Sequence, residues 1–233
     1  GMTPATSYVV RVCAVSGENK SDYTAEVTMK TRPEQTDLVD AETFDGTGVG
    51  EWLIDDATDK TYTLDEAKEY TAVVVRTGAN ITLNGTGYVS GTASMNKTGK
   101  GTFTVATPQQ YTGATVLHDG VYEFSSIANG DVASGLGMSQ EFAQNWVMDG
   151  GTYKYTGASA ATNRSAMLYD ATELNIDKSG TVLTMNGGIE GQGDLIVNGN
   201  GQLLVNNAAF FKYDGNVVLQ GGELKLSNKS ISN

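Results

Sequence analysis

The sequence is poor in cysteine, proline, histidine and positive charge. Its 233 residues include one Cys, three Pro and one His, and 27 Asp and Glu outnumber 15 Lys and Arg. A single cysteine, Cys13, excludes an intrachain disulfide. No segment approaches the roughly 18 apolar residues of a membrane-spanning helix. The net charge of −12 argues against nucleic acid and anionic membranes as partners, because both are bound through Lys and Arg.

Glycine is abundant, and threonine, valine, asparagine and tyrosine are frequent. The chain has 29 Gly without the three-residue period of collagen. Glycine suits tight turns, whereas Thr, Val and Tyr favour strands. The composition therefore predicts an all-β protein with many turns.

Residues 1–32 are predicted to form a β-hairpin. Tyr8, Val10 and Val12 alternate along a first strand, a turn follows at residues 17–20, and a second strand covers residues 23–29. This pattern resembles the last two strands of a fibronectin type III domain, in which Tyr8 takes the place of the tyrosine-corner residue. The segment lacks the other strands, so we interpret it as a partial fibronectin type III-like hairpin.

Residues 33–71 are predicted to be a linker and the N-terminal lead-in segment of a second domain. The stretch 32–42 is polar and acidic, and Thr63 and Glu66 form the capping-box pattern of a short helix over residues 63–70. Residues 72–233 then alternate strand and turn patterns, so strands are expected throughout that region.

An internal repeat is the strongest signal, with one copy at residues 96–124 and another at 197–226. Each copy has the order strand, loop, strand, turn, strand, and a single copy cannot bury its own apolar faces. Stacking of successive copies is therefore the predicted architecture. The structural repeat residues are Gly99, Gly101, Tyr111, Gly113 and Gly120 in the first copy, and Gly199, Gly201, Tyr213, Gly215 and Gly222 in the second.

Residues 80–229 resemble the autotransporter-associated β-strand repeat of the pectate lyase-like superfamily. The resemblance rests on the ordered motifs TYKYTG, ATNRSAM and NGGIEGQGDLIVNGNGQLLV, and on KTGKGTFTV in the first copy. It implies a right-handed parallel β-helix, or solenoid, typical of bacterial secreted and outer-surface proteins. We expect the matching Val105 and Val205 to face the same side of its core. The second copy departs from the pattern at residues 210–212, where we expect a local loop difference.

Few residues are suited to catalysis. His118 is the only histidine and precedes an Asp-Gly turn, and no nucleophile motif accompanies it, so we expect a structural role. Arg164 is the only arginine between residues 80 and 229, and the resemblance accounts for it through the ATNRSAM motif. We therefore expect no catalytic residue, no cofactor, and no hydrolase or lyase activity.

Two further groups are candidates for ligand binding. Asp55, Asp56 and Asp59 form an acidic loop that is a calcium candidate, although its spacing does not match an EF-hand and a solvated loop is the alternative. Five aromatic residues are candidates for stacking on sugars, with core packing as the alternative. They are Trp52, Tyr88, Trp146, Tyr153 and Tyr155.

These observations leave three functions open, because fold alone does not decide among them. The first is a non-catalytic structural or adhesive module of a larger bacterial secreted or cell-surface protein. The second is a pectate lyase-like polysaccharide-degrading enzyme or its accessory part, and the third is a glycan-binding module. A glycan or another surface protein is the expected partner.

The two ends of the chain suggest a piece of a longer array. The Gly1-Met2 start resembles an expression scar, and no capping pattern follows the last strand pattern at residues 223–226. We therefore expect either a continuation of the array or self-association through the hairpin or the C-terminal rung.

Overall fold

A computed structural model describes residues 7–10, 15–16, 19–21, 27–30, 50–206 and 213–227. The other residues of the predicted hairpin, the linker up to residue 49 and the predicted loop difference at 210–212 lie outside the described residues. The chain divides into two units, Gly1–Asp40 and Ala41–Asn233.

The first unit contains two short antiparallel pairs. β1 pairs with β4, placing Tyr8 opposite Met29, and β2 pairs with β3 between them along the chain. This pairing confirms the predicted hairpin for the residues that the structure describes. The strands are β1 (Ser7–Val10), β2 (Val15–Ser16), β3 (Asn19–Lys20) and β4 (Val27–Lys30).

The second unit is a parallel β-solenoid of about eight turns, which confirms the predicted fold class. Its turns stack into three sheets. Sheet A contains β5 (Glu51–Ile54), β8 (Ala72–Arg76), β11 (Ser94–Thr98), β13 (Thr115–Leu117), β15 (Trp146–Asp149), β18 (Ala166–Asp170) and β21 (Ile189–Gly191). Sheet B contains β6 (Lys60–Leu64), β9 (Ile81–Gly85), β12 (Thr102–Val105), β14 (Val121–Phe124), β16 (Thr152–Tyr155), β19 (Thr172–Ile176), β22 (Leu195–Gly199) and β24 (Val217–Leu219). Sheet C contains β17 (Ala160–Thr162), β20 (Val182–Met185), β23 (Gln202–Val205) and β25 (Glu223–Leu226).

Three short elements complete the second unit. β7 (Lys68–Glu69) and β10 (Val89–Ser90) pair in parallel in the third segment of the first two turns. A single 3-10 turn, Ala143–Asn145, precedes β15. No helix among the described residues is long and apolar enough to span a membrane.

Alternation along each strand decides which side chains enter the core. In β12, Phe103 and Val105 are buried while the intervening threonines are partly exposed. The parallel register then stacks equivalent residues of successive turns, so that Phe103, Tyr122 and Tyr153 are neighbours in sheet B. Their ring centroids are 5.7 and 5.5 Å apart. A continuous apolar column therefore runs through the stacked turns.

The first turn of the solenoid lies inside the predicted linker and lead-in segment, 33–71. It begins with β5 at Glu51, and its buried Trp52 packs on Tyr62 and Tyr70 with ring centroids 5.0 and 5.3 Å apart. The predicted helix over residues 63–70 is wrong. The backbone amide of Lys68 donates to the next turn, to the carbonyl of Tyr88 at 2.9 Å, so pairing between turns overrides the local capping signal.

The predicted equivalence of Val105 and Val205 is also wrong. Both side chains are buried, but Val105 lies in sheet B and Val205 lies in sheet C. The first repeat copy runs through sheets A, B, A and B, whereas the second runs through B, C, B and C. The repeated pattern therefore corresponds to a strand, a corner and the next strand. It does not specify which two sheets those strands join.

The repeat glycines occupy corners of the solenoid. Gly99, Gly120, Gly199 and Gly222 have positive φ. Gly101 is required for a different reason, because a Cβ there would lie 1.9 Å from the carbonyl oxygen of Ala79 in the preceding turn. Such close approach of two backbones leaves no room for a side chain.

Candidate functional site

The fourth turn contains a long insertion between β14 and β15. In sheet A, Asn96 pairs with Val116 of the next turn, 20 residues later. Val116 in turn pairs with Val147, which is 31 residues later, so the fourth turn is longer than the third. The extra length lies in residues 125–145, which we call the inserted loop. Insertions in one turn of a repeat protein form loops on one face, which is often the binding face.

The middle of the inserted loop belongs to the solenoid core. Ser134 forms an antiparallel bridge with Gln109 of the third turn, through backbone hydrogen bonds of 2.8 and 3.3 Å. Leu136 is fully buried, and the Tyr122 hydroxyl donates to the carbonyl oxygen of Gly135 at 2.8 Å. These contacts anchor the loop at its centre and leave two flanks, residues 125–133 and 139–145.

A buried arginine joins the two flanks. Arg164 follows β17 in the fifth turn and is 1% exposed. Its Nε donates to the Ala128 carbonyl at 3.1 Å, its Nη1 to Ser139 Oγ at 2.8 Å and its Nη2 to the Gly137 carbonyl at 3.0 Å. Nη2 also donates to the Val132 carbonyl at 3.4 Å. The planar guanidinium carries five N–H donors in a fixed fork, so one side chain bonds to four points of the loop.

The neighbours of Arg164 in the ATNRSAM motif add further anchors. The Asn163 amide donates to Asn129 Oδ1 at 2.9 Å, and the Gly130 amide donates back to Asn163 Oδ1 at 2.8 Å. On the second flank, the Ser165 amide donates to the Glu141 carbonyl at 2.8 Å. The motif of the fifth turn therefore binds the backbone of both flanks.

The charge of Arg164 is balanced from both flanks. Burial lowers the pKa of Arg164, and electrostatic interactions with Tyr111, Asp131 and Glu141 act in the opposite direction. Arginine stays protonated at any physiological pH. The inserted loop is therefore organised around a buried positive charge that faces one acidic residue on each flank.

The flanks carry an exposed patch of apolar and acidic side chains. Val132 is 50% exposed and Phe142 is 56% exposed, beside the exposed Asp131 and the half-buried Glu141. We call these four residues the flank surface. Among the described residues other than glycine, Asp131 alone has a positive φ, of 63°, a conformation that Asp tolerates better than most residues.

His118 forms a hydrogen-bonded pair with an acidic residue of the next turn. Its Nδ1 lies 2.8 Å from Oδ2 of Asp149, which is almost fully buried at the end of β15. A histidine oriented by a carboxylate serves catalysis only when a nucleophile or substrate group is within reach. The pair links a corner of the fourth turn to the fifth.

The three candidate calcium ligands are not brought into one cluster. They contact different partners: Asp55 lies 3.8 Å from Arg76, Asp56 accepts from Lys60 and Tyr62 at 2.8 and 2.6 Å, and Asp59 accepts from the Asn80 amide at 2.8 Å. The hydrogen bonds from Asn80 lower the pKa of Asp59. Within the described ranges, no group of three His, Cys, Asp or Glu side chains could hold a metal ion.

The repeat tyrosines brace the corners with their hydroxyl groups. Tyr111 is fully buried and its hydroxyl lies 2.6 Å from Thr115 Oγ1. Tyr213 is partly buried, and its hydroxyl oxygen lies 2.6 and 2.8 Å from the carbonyl oxygens of Gly193 and Asn216, either of which can accept its single proton. In the second copy the ring of Tyr213 also approaches Gly215, where a Cβ would lie 2.5 Å from the hydroxyl oxygen.

Most of the aromatic candidates for sugar stacking are inside the solenoid. Trp52, Trp146, Tyr153 and Tyr155 are each at most 2% exposed, and Tyr88 is half-buried. These residues therefore form no stacking row on a face of the described solenoid. The exposed apolar residues of the inserted loop were missed by sequence reasoning, and the available signal was the long gap between strand patterns at residues 125–145.

Comparison with known proteins gives one relevant similarity. The chain is 30% identical over 148 residues to the adhesin BmaC autotransporter of Brucella suis biovar 1 (strain 1330). The alignment covers 63% of this chain and 4% of that protein, so the chain spans a small part of its relative. No family model matches the chain, and no solved structure matches it significantly. Together, the parallel β-solenoid and this similarity support an autotransporter-associated β-helix repeat.

Proposed function

We propose that this chain is a non-catalytic adhesive module of a larger bacterial secreted or cell-surface protein. The similarity to an autotransporter adhesin carries the proposal. The solenoid supports it physically, because stacked turns form an extended scaffold on which a loop is held at a defined place. The inserted loop is such a loop, with anchors in the third, fourth and fifth turns.

Another surface protein is the partner that we propose. The burial of four of the five aromatic candidates removes the main argument for a glycan. The alternative of an accessory part of a polysaccharide-degrading enzyme has no support from the similarity to an adhesin. Residues 1–32 are proposed to derive from a fibronectin type III-like domain, for which the β1–β4 pairing is the support.

Adhesion is tested with the whole purified chain. Fluorescent beads coated with the chain are added to cultured mammalian cells and to surfaces coated with extracellular matrix proteins. We expect several-fold more bound beads than with an albumin coat, and we expect protease treatment of the cells to remove the difference. Binding no greater than that of albumin beads on every surface would contradict an adhesive function.

A further inference from the structure

We propose that the flank surface, formed by Asp131, Val132, Glu141 and Phe142, binds a segment of a partner protein that combines basic and apolar side chains. The inference rests on the proposed adhesive function and adds the binding surface and the chemistry of the partner.

The two flanks lie side by side and form one surface. The Asp131 amide donates to the carbonyl of Ser139 at 3.0 Å. One residue earlier, Gly130 lies against the other flank so closely that a Cβ would meet the Glu141 nitrogen at 2.5 Å. Val132 directly follows Asp131 on the first flank, and Phe142 directly follows Glu141 on the second. The two most exposed apolar side chains of the loop therefore project from neighbouring stretches of backbone.

Hydrogen bonds from the fifth turn hold the backbone of the flank surface in place. Arg164 and Asn163 bind the backbone just before Asp131, and Arg164 also binds the carbonyl of Val132 itself. The Ser165 amide binds Glu141 directly before Phe142. A surface that is already ordered loses little conformational entropy when it binds. Exposed aromatic anchors on such surfaces commonly supply much of the binding energy at protein interfaces. Phe142 is the anchor that this geometry offers.

The charge of the flank surface indicates the chemistry of its partner. Residues 125–145 contain Asp131 and Glu141 and no Lys or Arg, and the positive charge of Arg164, which interacts with both acids, is buried. A partner with Lys or Arg next to an apolar side chain would match both features. A glycan matches less well, because Phe and Val offer it no hydrogen bond and Asn129 and Asn163 already bond to the loop.

The test measures binding of defined peptides to three variants of the whole chain. The probes are a synthetic peptide alternating Lys and Leu, matched peptides alternating Lys and Ser or Glu and Leu, and a panel of neutral glycans. The first variant combines Val132→Ala with Phe142→Ala, and the second combines Asp131→Asn with Glu141→Gln. The control combines Asp65→Asn with Glu69→Gln, which removes the same charge from exposed positions of the first turn.

We expect the Lys–Leu peptide to bind the wild type at least tenfold more tightly than it binds the alanine variant. The charge variant should lose several-fold in affinity, and the control should match the wild type. Equal binding of the Lys–Leu and Lys–Ser peptides would overturn the inference, because it would show attraction to net charge alone. Equal affinity for the wild type and the alanine variant, or glycan binding that is lost with Phe142, would overturn it as well.

The bead assay separates this inference from the proposed function. If wild-type beads adhere and beads coated with the alanine variant adhere equally well, the flank surface is not the binding site, although the chain is adhesive. If wild-type beads do not adhere, the proposed function fails. The alanine variant and the control change exposed side chains only, so unchanged melting temperatures are expected for both. The charge variant also removes the two acidic groups that face Arg164, so a lower melting temperature is expected and its binding is measured well below that temperature.

Discussion

The regular turns of the solenoid and the inserted loop are stabilised in different ways. In a regular turn, a residue such as Leu174 packs between its counterparts Tyr153 and Val197 of the adjacent turns. Phe103, Tyr122 and Tyr153 repeat this arrangement in the preceding turns. The flanks of the inserted loop depend on Arg164, whose hydrogen bonds reach residues 25 to 36 positions earlier in the chain. A repeat thus distributes stability over many similar contacts, whereas an insertion requires specific polar contacts of its own.

The largest effect is expected from Arg164→Met, which removes the anchor of the loop. The substitution removes four hydrogen bonds from a charged donor to the loop, so we expect the free energy of unfolding to fall by about 4 kcal/mol. Limited proteolysis should cut first within the flanks of the variant. Denaturant unfolding measures the first result, and mass spectrometry of the fragments measures the second.

Arg76→Met is the matched control for this prediction. Arg76 lies 3.8 Å from Asp55 and about half of its side chain is exposed, so its loss should cost less than about 1 kcal/mol. If both arginine variants lose the same stability, the loop does not depend on a buried anchor and the comparison between loop and regular turns fails.

A substitution in a regular turn is expected to have the next largest effect. Leu174→Ala creates a cavity in the stacked core and should cost about 3 kcal/mol. Leu219 occupies an inward position of the eighth turn by its register with Val197, but it is 54% exposed. Leu219→Ala should therefore cost less than about 1 kcal/mol, as measured by thermal unfolding. Equal costs would show that the eighth turn is as well packed as the sixth.

Lys97 offers a smaller test inside a regular turn. It lies between Val75 and Leu117 in the inward ladder of sheet A, and its ammonium group donates to the carbonyls of Thr98, Gly99 and Asp119 at 3.1, 2.5 and 3.2 Å. Burial lowers its pKa from 10.5 to about 8, and the nearby Asp119 opposes that shift only in part. Between pH 8 and pH 10.5, Lys97 is therefore mostly neutral in the folded chain and mostly protonated in the unfolded chain.

The predicted consequence is a change of stability with pH. As pH rises from 8 to 10.5, the folded chain releases the Lys97 proton before the unfolded chain does. The wild type should therefore gain on the order of 2 kcal/mol relative to Lys97→Met over this range. Chemical denaturation of both proteins at several pH values measures the difference. Parallel stability curves would show that Lys97 does not titrate in this way.

The smallest effect is expected at the surface of the loop. Phe142→Ala removes an exposed ring that contributes little to packing, so its free energy of unfolding should stay within about 0.5 kcal/mol of the wild type. A larger loss would mean that Phe142 stabilises the loop, which would weaken its assignment as a binding residue.

The stacked architecture was predictable because its signals are local and repeated. Glycines at corners such as Gly101 and alternation along strands such as β12 both report the sequence period of the turns. The side of the solenoid on which each strand lies was not predictable, since all three sides use the same strand-and-corner pattern. Val105 and Val205 show this, because they match in sequence and lie in different sheets.

The inserted loop was not predictable because its contacts are distant in sequence. Arg164 binds Ala128, 36 residues earlier, and this pairing leaves no periodic trace. His118 and Asp149, which are 31 residues apart, are a second example. Sequence reasoning identified Arg164 and His118 as unusual residues, but their partners depend on the length of the insertion that separates them.

The direction of the hydrogen bonds in the solenoid has a mechanical consequence. Bonds between parallel strands lie across the strands, so they join each turn to the next along the stacking direction. Tension along that direction would break the hydrogen bonds between two adjacent turns together, and then those of the next pair of turns. A solenoid pulled in this way should therefore lengthen in steps of one turn.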